Sequence, residues 1–450
     1  MSGSAIPVLF VTFHFPPDVE VGGKRAAFFC KHLPHFGVRP IVLTVKEQLY
    51  PKTDASFPLP PSLQVERTDL HRTPADWYMG AKRRLIASRR EGQRQDQPTV
   101  GPKVGSNQRE ATSLRRSLLA LLDIPDSYWG WYWPAVRAGA RLVRRHRPHA
   151  IVSTAPPYTS HLIAGHLAKK FGIAWIADYR DLWLDLDVWG WSRRVPVWRD
   201  RLDHWLERAW IHRASLVTST TDASAEVLAS RYPDEPAAKF VTLTNGFDDG
   251  APPTVSQRAT PGSQLVLHSG TLYGGRTVDT LCLAIAELVR SKRVDPKDFK
   301  LLFLGNNKPS IEAAARARTP ELFENGCIEF RPPVPWAEAQ RIAQEASALL
   351  VVQGDHPIAI PAKFYEYLQV GKPIFALVRE GALSRMMEST RVGFWAEPED
   401  VSRIAEGLYA TLRMPDRSAA DAAAISERFH YRVLTARLAE HIHRVTQARA

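Results

Sequence analysis

The stretch Pro361-Ala362-Lys363-Phe364-Tyr365-Glu366-Tyr367-Leu368-Gln369-Val370-Gly371-Lys372-Pro373-Ile374 decides the reading of this 450-residue chain. It reads as an amphipathic helix: Pro361 suits a first helical turn, and Gly371-Lys372-Pro373 stops it. Residues 374–378, Ile-Phe-Ala-Leu-Val, then read as a buried strand. Lys363 and Glu366 lie three residues apart and so share one face. A helix N-terminus carrying a Lys is an anion site, and a carboxylate one turn further in can accept hydrogen bonds from vicinal hydroxyls such as those of a ribose. Phosphate plus ribose means a nucleotide. A surface ion pair on an ordinary helix satisfies the same spacing.

Working outward, apolar runs alternate with helical patterns along most of the chain. Strands are expected at 8–13, 40–44, 150–154, 174–178, 216–219 and 240–244, and again at 264–268, 300–305, 328–331, 348–352 and 373–378. Strand–helix alternation of this kind means parallel sheets with crossover helices, and ligands bind at the C-terminal ends of such strands. At this length two domains are expected. The Pro/Ser/Thr-rich run 250–263 reads as the linker between a first domain, 1–249, and a second, 264–420; residues 421–450 read as a helical tail. The fold class is therefore α/β, with two doubly wound Rossmann-like domains facing each other across a cleft.

Composition narrows the function. Cys30, Cys282 and Cys327 are scattered and have no metal-ligand spacing, which speaks for a reducing compartment and against a zinc site. No charged-then-apolar leader opens the chain and no window is long and apolar enough to span a bilayer, so a cytoplasmic protein is expected. The net charge of +12 points to phosphorylated substrates, an anionic membrane or nucleic acid. No zinc-finger, helix-turn-helix or RNP-like motif occurs, which leaves the first two.

Four more segments stand in order with the first: Ser153-Thr154-Ala155-Pro156-Pro157-Tyr158-Thr159-Ser160-His161, Asp178-Tyr179-Arg180-Asp181-Leu182-Trp183, Asn245-Gly246-Phe247-Asp248, and His268-Ser269-Gly270-Thr271-Leu272-Tyr273-Gly274-Gly275-Arg276. Together the five resemble the blocks of GT-B glycosyltransferases, specifically family 4-like enzymes (group 1 type), from near residue 6 to near residue 410. The resemblance implies transfer of a sugar from a nucleotide-diphosphate sugar to an acceptor hydroxyl, in surface polysaccharide, glycolipid or glycosylated-metabolite synthesis. It implies that Lys363 and Arg276 neutralise the diphosphate, that Glu366 holds the ribose, and that Gly22, Gly23, Tyr273 and Gly275 line the donor site. It also implies a tail that crosses back onto the first domain.

Catalytic candidates sit on the acceptor side. Asp178 and Asp181 lie just past a strand's C-terminal end, where a carboxylate can orient or deprotonate an acceptor hydroxyl; an Asp–Arg ion pair bracing the loop is the competing reading. His161 either faces the cleft or caps a helix. Asn245-Gly246 reads as a turn first. No Asp-x-Asp occurs in a predicted donor loop, so neither metal nor cofactor is expected. Many retaining family 4 enzymes carry a second Glu separated by seven residues from the first; counting back from Glu366 reaches Ile358. Retention is kept as the family default. The competing functions are a catalytically silent GT-B partner subunit and a GT-B sugar-nucleotide 2-epimerase; the Asp-x-Arg-Asp-x-Trp block speaks against the second.

One stretch matches no block. Residues 72–116 hold eleven Lys or Arg against four Asp or Glu. They read as a partly disordered insertion that is either a solvated loop or a contact with an anionic membrane surface, where each cation is worth about 1 kcal/mol. Eleven of the thirteen tryptophans lie between Trp77 and Trp210; Trp175 and Trp210 are expected in the core, Trp189 and Trp191 in a pocket or at the surface.

Overall fold

The computed structural model describes residues 5–54, 57–74, 120–185, 195–248, 263–272, 277–354 and 356–448. Two parallel sheets organise them. The first has the order β3-β2-β1-β4-β5-β6-β7, from β1 (Ile6–Val11), β2 (Val38–Val45), β3 (Gln64–Thr68), β4 (Ala150–Ala155), β5 (Ala174–Tyr179), β6 (Leu216–Ser219) and β7 (Phe240–Thr242). The second has the order β10-β9-β8-β11-β12-β13, from β8 (Gln264–Ser269), β9 (Phe299–Leu304), β10 (Ile328–Arg331), β11 (Ala348–Val352), β12 (Ile374–Leu377) and β13 (Gly393–Ala396). Central strands such as β4, β5 and β11 are buried along their whole length, as parallel strands covered on both faces must be. Each sheet reverses its winding at its first strand, between β1 and β4 and between β8 and β11, and so opens a crevice at the strand ends.

The helices of the first half are α1 (Val21–His32), α2 (Tyr132–His146), α3 (Thr159–Phe171), α4 (Val197–Arg213) and α5 (Asp222–Arg231). Those of the second half are α6 (Asp279–Arg290), α7 (Pro309–Arg318), α8 (Pro320–Glu324), α9 (Trp336–Glu345), α10 (Ala362–Val370), α11 (Ala382–Thr390), α12 (Val401–Leu412), α13 (Ala419–Phe429) and α14 (Tyr431–Gln447). Helices α2, α3 and α4 cover one face of the first sheet with a core that includes Trp131, Trp175 and Trp210. The opposite face is covered by α1 and by the last helix, α14. Tyr431, Leu434, Leu438 and Ile442 recur on one side of α14 and pack with Val8, Phe10, Phe29 and Cys30. Phe28 and Tyr431 stack with ring centroids 4.6 Å apart.

The crossing point is pinned by backbone bonds: the Phe247 N–H donates to the Phe429 carbonyl at 3.1 Å, and the Tyr431 N–H to the Phe247 carbonyl at 2.8 Å. Asp248 next to them accepts from Lys31 at 2.5 Å, lies 2.7 Å from the His32 ring nitrogen, and gives its carbonyl to Gln369 at 2.7 Å. Asn245-Gly246 is thus part of the seam where the tail returns, rather than a free turn.

Two strands had no sequence signal. β3 (Gln-Val-Glu-Arg-Thr) and β13 (Gly-Phe-Trp-Ala) are edge strands, half covered and short of the apolar run that marks the central ones. Among the described residues, no helix is long and apolar enough to cross a membrane.

Candidate functional site

The helix read from the sequence forms as α10, with Pro361 before its first residue and Gly371 closing it at φ 82°, a left-handed conformation that costs glycine least. Lys363 Nζ donates to Glu366 Oε2 at 2.6 Å. The other oxygen of Glu366 takes a second cation, Lys24 of α1, at 3.4 Å. Burial opposes ionisation of Glu366, but the two ammonium groups outweigh it and hold the carboxyl down at about 2. Burial acts on Lys363 in the opposite sense and is likewise outweighed, by Glu366, so its pKa is raised. The carboxylate remains 19% exposed, within reach of a ligand in the cleft.

The donor side is completed by the ends of β8 and β9. The Ser269 N–H donates to Tyr367 Oη at 2.8 Å, which fixes the end of β8 against α10. The Leu272 N–H donates to Asn307 Oδ1 at 3.0 Å, joining the two loops. Tyr273, Gly275 and Arg276 lie outside the described residues, between Leu272 and the approach to α6.

Across the cleft, Gly22 and Gly23 occupy the first turn of α1. A Cβ on Gly22 would collide with the Arg180 guanidinium, which donates to the carbonyls of Gly22 and Pro156. Arg180 thereby ties the end of β5 to the start of α1, and Lys24 one turn along reaches Glu366. Asp181 follows Arg180 directly. Its carboxyl is half-buried and has no hydrogen-bond or ion-pair partner among the described residues, while its carbonyl accepts from Tyr158 at 2.8 Å. Burial raises the Asp181 pKa; Arg180 opposes and Asp178 adds to the rise.

Two of the expected catalytic residues are corrected by their surroundings. Asp178 does not project a free carboxylate into the cleft. It is 4% exposed and accepts four bonds: from Arg25 Nε at 3.0 Å and Nη2 at 2.9 Å, from Thr154 at 2.8 Å, and from Thr218 at 2.7 Å. Burial works against its charge, yet Arg25 and the hydroxyls leave its pKa below the usual value. The Asp–Arg pair is real, but the arginine comes from α1 and not from the neighbouring Arg180. Arg25 also donates to the carbonyls of Leu243 and Thr244, each at 2.7 Å. This guanidinium carried no sequence signal beyond its place after Gly22-Gly23.

His161 neither faces the cleft nor caps a helix. It lies in the first turn of α3 with no exposed surface, Nδ1 2.8 Å from Ser153 Oγ, among the rings of Tyr179, Trp175 and Trp210. Burial pushes its pKa down to about 3, so the ring stays neutral. Among the described residues, no group of three or more His, Cys, Asp or Glu is arranged to hold a metal ion.

No family model and no curated sequence matches the chain. Solved structures do. Sucrose-phosphate synthase from Thermosynechococcus elongatus superposes with a TM-score of 0.62 at 14% identity, over 98% of this chain and 100% of that one. Anabaena HepE, in complex with UDP and glucose, gives 0.57 at 13% identity over 98% and 100%. WaaG, a glycosyltransferase involved in lipopolysaccharide biosynthesis, gives 0.55 at 15% identity over 97% and 99%. With two parallel sheets of seven and six strands meeting at a cleft and these matches running the length of both domains, the chain has the GT-B fold.

Proposed function

We propose that the protein is a glycosyltransferase that moves a sugar from a nucleotide-diphosphate sugar to an acceptor hydroxyl. The observation that carries this is Glu366: an ionised carboxylate at the cleft, one turn into a helix whose N-terminus carries Lys363. In this reading Glu366 accepts hydrogen bonds from the two ribose hydroxyls, and Lys363, the N–H groups opening α10 and Arg276 bear the charge of the leaving diphosphate. Gly22 and Gly23 let the α1 backbone approach the phosphates, and Tyr273 and Gly275 belong to the facing loop. The likeness to HepE, also solved in complex with UDP-glucose, supports the substrate class.

Asp181 is the catalytic candidate that remains, positioned to accept a hydrogen bond from the acceptor hydroxyl. Retention of anomeric configuration, a glycan, glycolipid or metabolite acceptor, a cytoplasmic setting and independence from metal and cofactor are parts of the same proposal, as is a membrane contact by the basic stretch 72–116. Nearly all of that stretch lies outside the described residues, as do Trp189 and Trp191.

The test is incubation of the pure protein with uridine, guanosine and thymidine diphosphate sugars, following nucleoside diphosphate release and the shift in Tm. Release and a raised Tm with at least one donor are expected. No donor with either effect would return the chain to the reading of a silent partner subunit.

A further inference from the structure

We propose that the outer face of the helix layer α2–α3–α4 is a docking surface for an anionic lipid bilayer. The proposal goes beyond glycosyl transfer and does not depend on it. Leu121, Trp133, Val197, Trp198 and Trp205 are between 41% and 69% exposed, and all five sit on this layer or at its edge. Three are tryptophans, side chains that folding normally covers. They are held together by structure. The Arg199 guanidinium donates to the carbonyls of Ala120, Asp123 and Pro125, which ties the segment carrying Leu121 to the first turn of α4. Tyr132 Oη lies 2.7 Å from the His166 ring and ties α2 to α3. Along α4, Trp198, Arg201, Trp205, Arg208 and His212 are spaced three, four, three and four residues apart, so aromatic and basic side chains share one stripe.

Cations predominate on this face, although Asp200 is exposed and Glu66, Asp234 and Glu235 at its edges pair with Arg141, Arg208 and His212. Helices α2 and α3 contain no Asp or Glu. Asp203 and Glu207 of α4 turn inward, towards Arg199 and Arg231, and leave Asp200 as the exposed acid of that helix. Arg141 leans on Glu66 at 3.6 Å and Arg208 on Asp234 at 2.7 Å. The exposed Arg137, Arg144, Arg145, Lys169, Lys170 and Arg201 have no ion pair among the described residues.

A phosphate backbone would satisfy these cations and leave five apolar side chains bare. A bilayer surface takes both: anionic headgroups for Arg and Lys, and the interfacial zone for Trp. Orientation agrees. In a parallel β/α layer the helices run against the strands, so their N-terminal ends lie at the cleft. Trp133 and Trp198 are in the first turns of α2 and α4, while Arg144, Arg145, Lys169 and Lys170 lie at the far ends of α2 and α3. A membrane on this face therefore lies beside the acceptor side of the cleft.

The test is co-sedimentation of the full chain with vesicles of phosphatidylcholine alone or with about a third phosphatidylglycerol. It is run at about 0.05 and 0.5 M salt, where screening differs several-fold in length. Three variants are compared: Trp198→Ala/Trp205→Ala, Arg144→Glu/Arg145→Glu, and residues 88–109 replaced by a short Gly/Ser linker. Melting curves and lipid-free gel filtration accompany each. Wild type should bind the anionic vesicles in low salt only. The tryptophan pair should lower the partition at least about tenfold, and the arginine pair more than about 25-fold, at a factor of about 5 for each lost cation. The linker variant should keep the loss caused by adding either pair. No preference for anionic vesicles, or wild-type binding by both pair variants, overturns the proposal. So does a lipid-free dimer that dissociates in the same variants, since the face then belongs to a second copy. Donor hydrolysis measured without lipid is unaffected by any of these outcomes.

Discussion

Lys24 Nζ lies 3.4 Å from Glu366 Oε1, so α1 of one domain reaches a carboxylate on α10 of the other. Glu366 is held more closely by Lys363, at 2.6 Å, on its other oxygen. If Glu366 holds the donor ribose as proposed, the longer, partly exposed Lys24 contact is the one expected to yield.

Replacing Glu366 by Ala should therefore weaken donor binding by at least about tenfold, since a hydrogen bond to a charged group contributes about 1.5–3 kcal/mol. Lys24→Ala should change the donor Kd by less than about fivefold, because Lys363 still holds Glu366 ionised. With its pKa at about 2, donor affinity through this group should be flat between about pH 5 and 8. Calorimetric titration with the nucleoside diphosphate reads all three, and an unchanged Kd for Glu366→Ala would remove the ribose assignment.

Asp181 should set the acid limb of the pH–rate profile. Its pKa is raised, so it loses its charge as pH falls at a higher pH than an ordinary aspartate does. Asp181→Asn should abolish that limb and lower kcat by about 10²–10⁴-fold. The sign for stability is opposite. A carboxyl with a raised folded pKa favours the native state at low pH and loses that contribution as pH rises, so at pH 7 the neutral Asn should hold or raise Tm. A variant with normal turnover would assign Asp181 to packing.

Asp178 and Arg25 should matter for stability. Removing one partner of a buried, hydrogen-bonded pair costs about 3–5 kcal/mol, and Asp178→Ala also strands the Thr154 and Thr218 hydroxyls. Because the Asp178 pKa is lowered, its contribution is present above the unfolded value and is lost as pH falls through the folded one. Urea unfolding at pH 7 and at acid pH should show the wild type and Asp178→Ala converging in acid. Equal midpoints at pH 7 would contradict the anchoring role.

His161→Gln should leave kcat within about threefold of wild type while lowering stability by about 1–3 kcal/mol through lost ring packing. The neutral ring titrates near 3 in the fold and near 6.5 when unfolded, so its destabilising effect grows as pH falls between those values. The difference in Tm between wild type and variant should shrink as acid is added. A large loss of kcat without loss of Tm would restore His161 to the reaction.

The pattern of buried strands was legible because a strand covered on both faces must be apolar throughout, as in β11 and β12. So was α10, punctuated by Pro361 and Gly371. Asp178 was misread for a geometric reason. Placement at a strand end says nothing about which face a side chain takes. Asp178 is in register with Thr154 of β4 and Thr218 of β6, on the face that meets α1, and only the three strands together define the pocket for Arg25. The Lys24–Glu366 contact joins residues that no local pattern relates. His161 carried a Ser-x-x-Pro-Pro context that is the same for a cleft residue and for the buried ring it proves to be.

The helix α14 closes a wall of the first domain with residues that follow the whole second domain in sequence. On the ribosome, β1 to β7 emerge long before Tyr431, Leu434, Leu438 and Ile442 exist to cover Val8 and Phe10. That face must wait, covered by α1 alone, through synthesis of the entire second domain. The order of completion therefore follows the order of the elements: the second domain can fold once β8 to β13 have emerged, whereas the wall of the first is completed only when α14, which follows them in sequence, is in place.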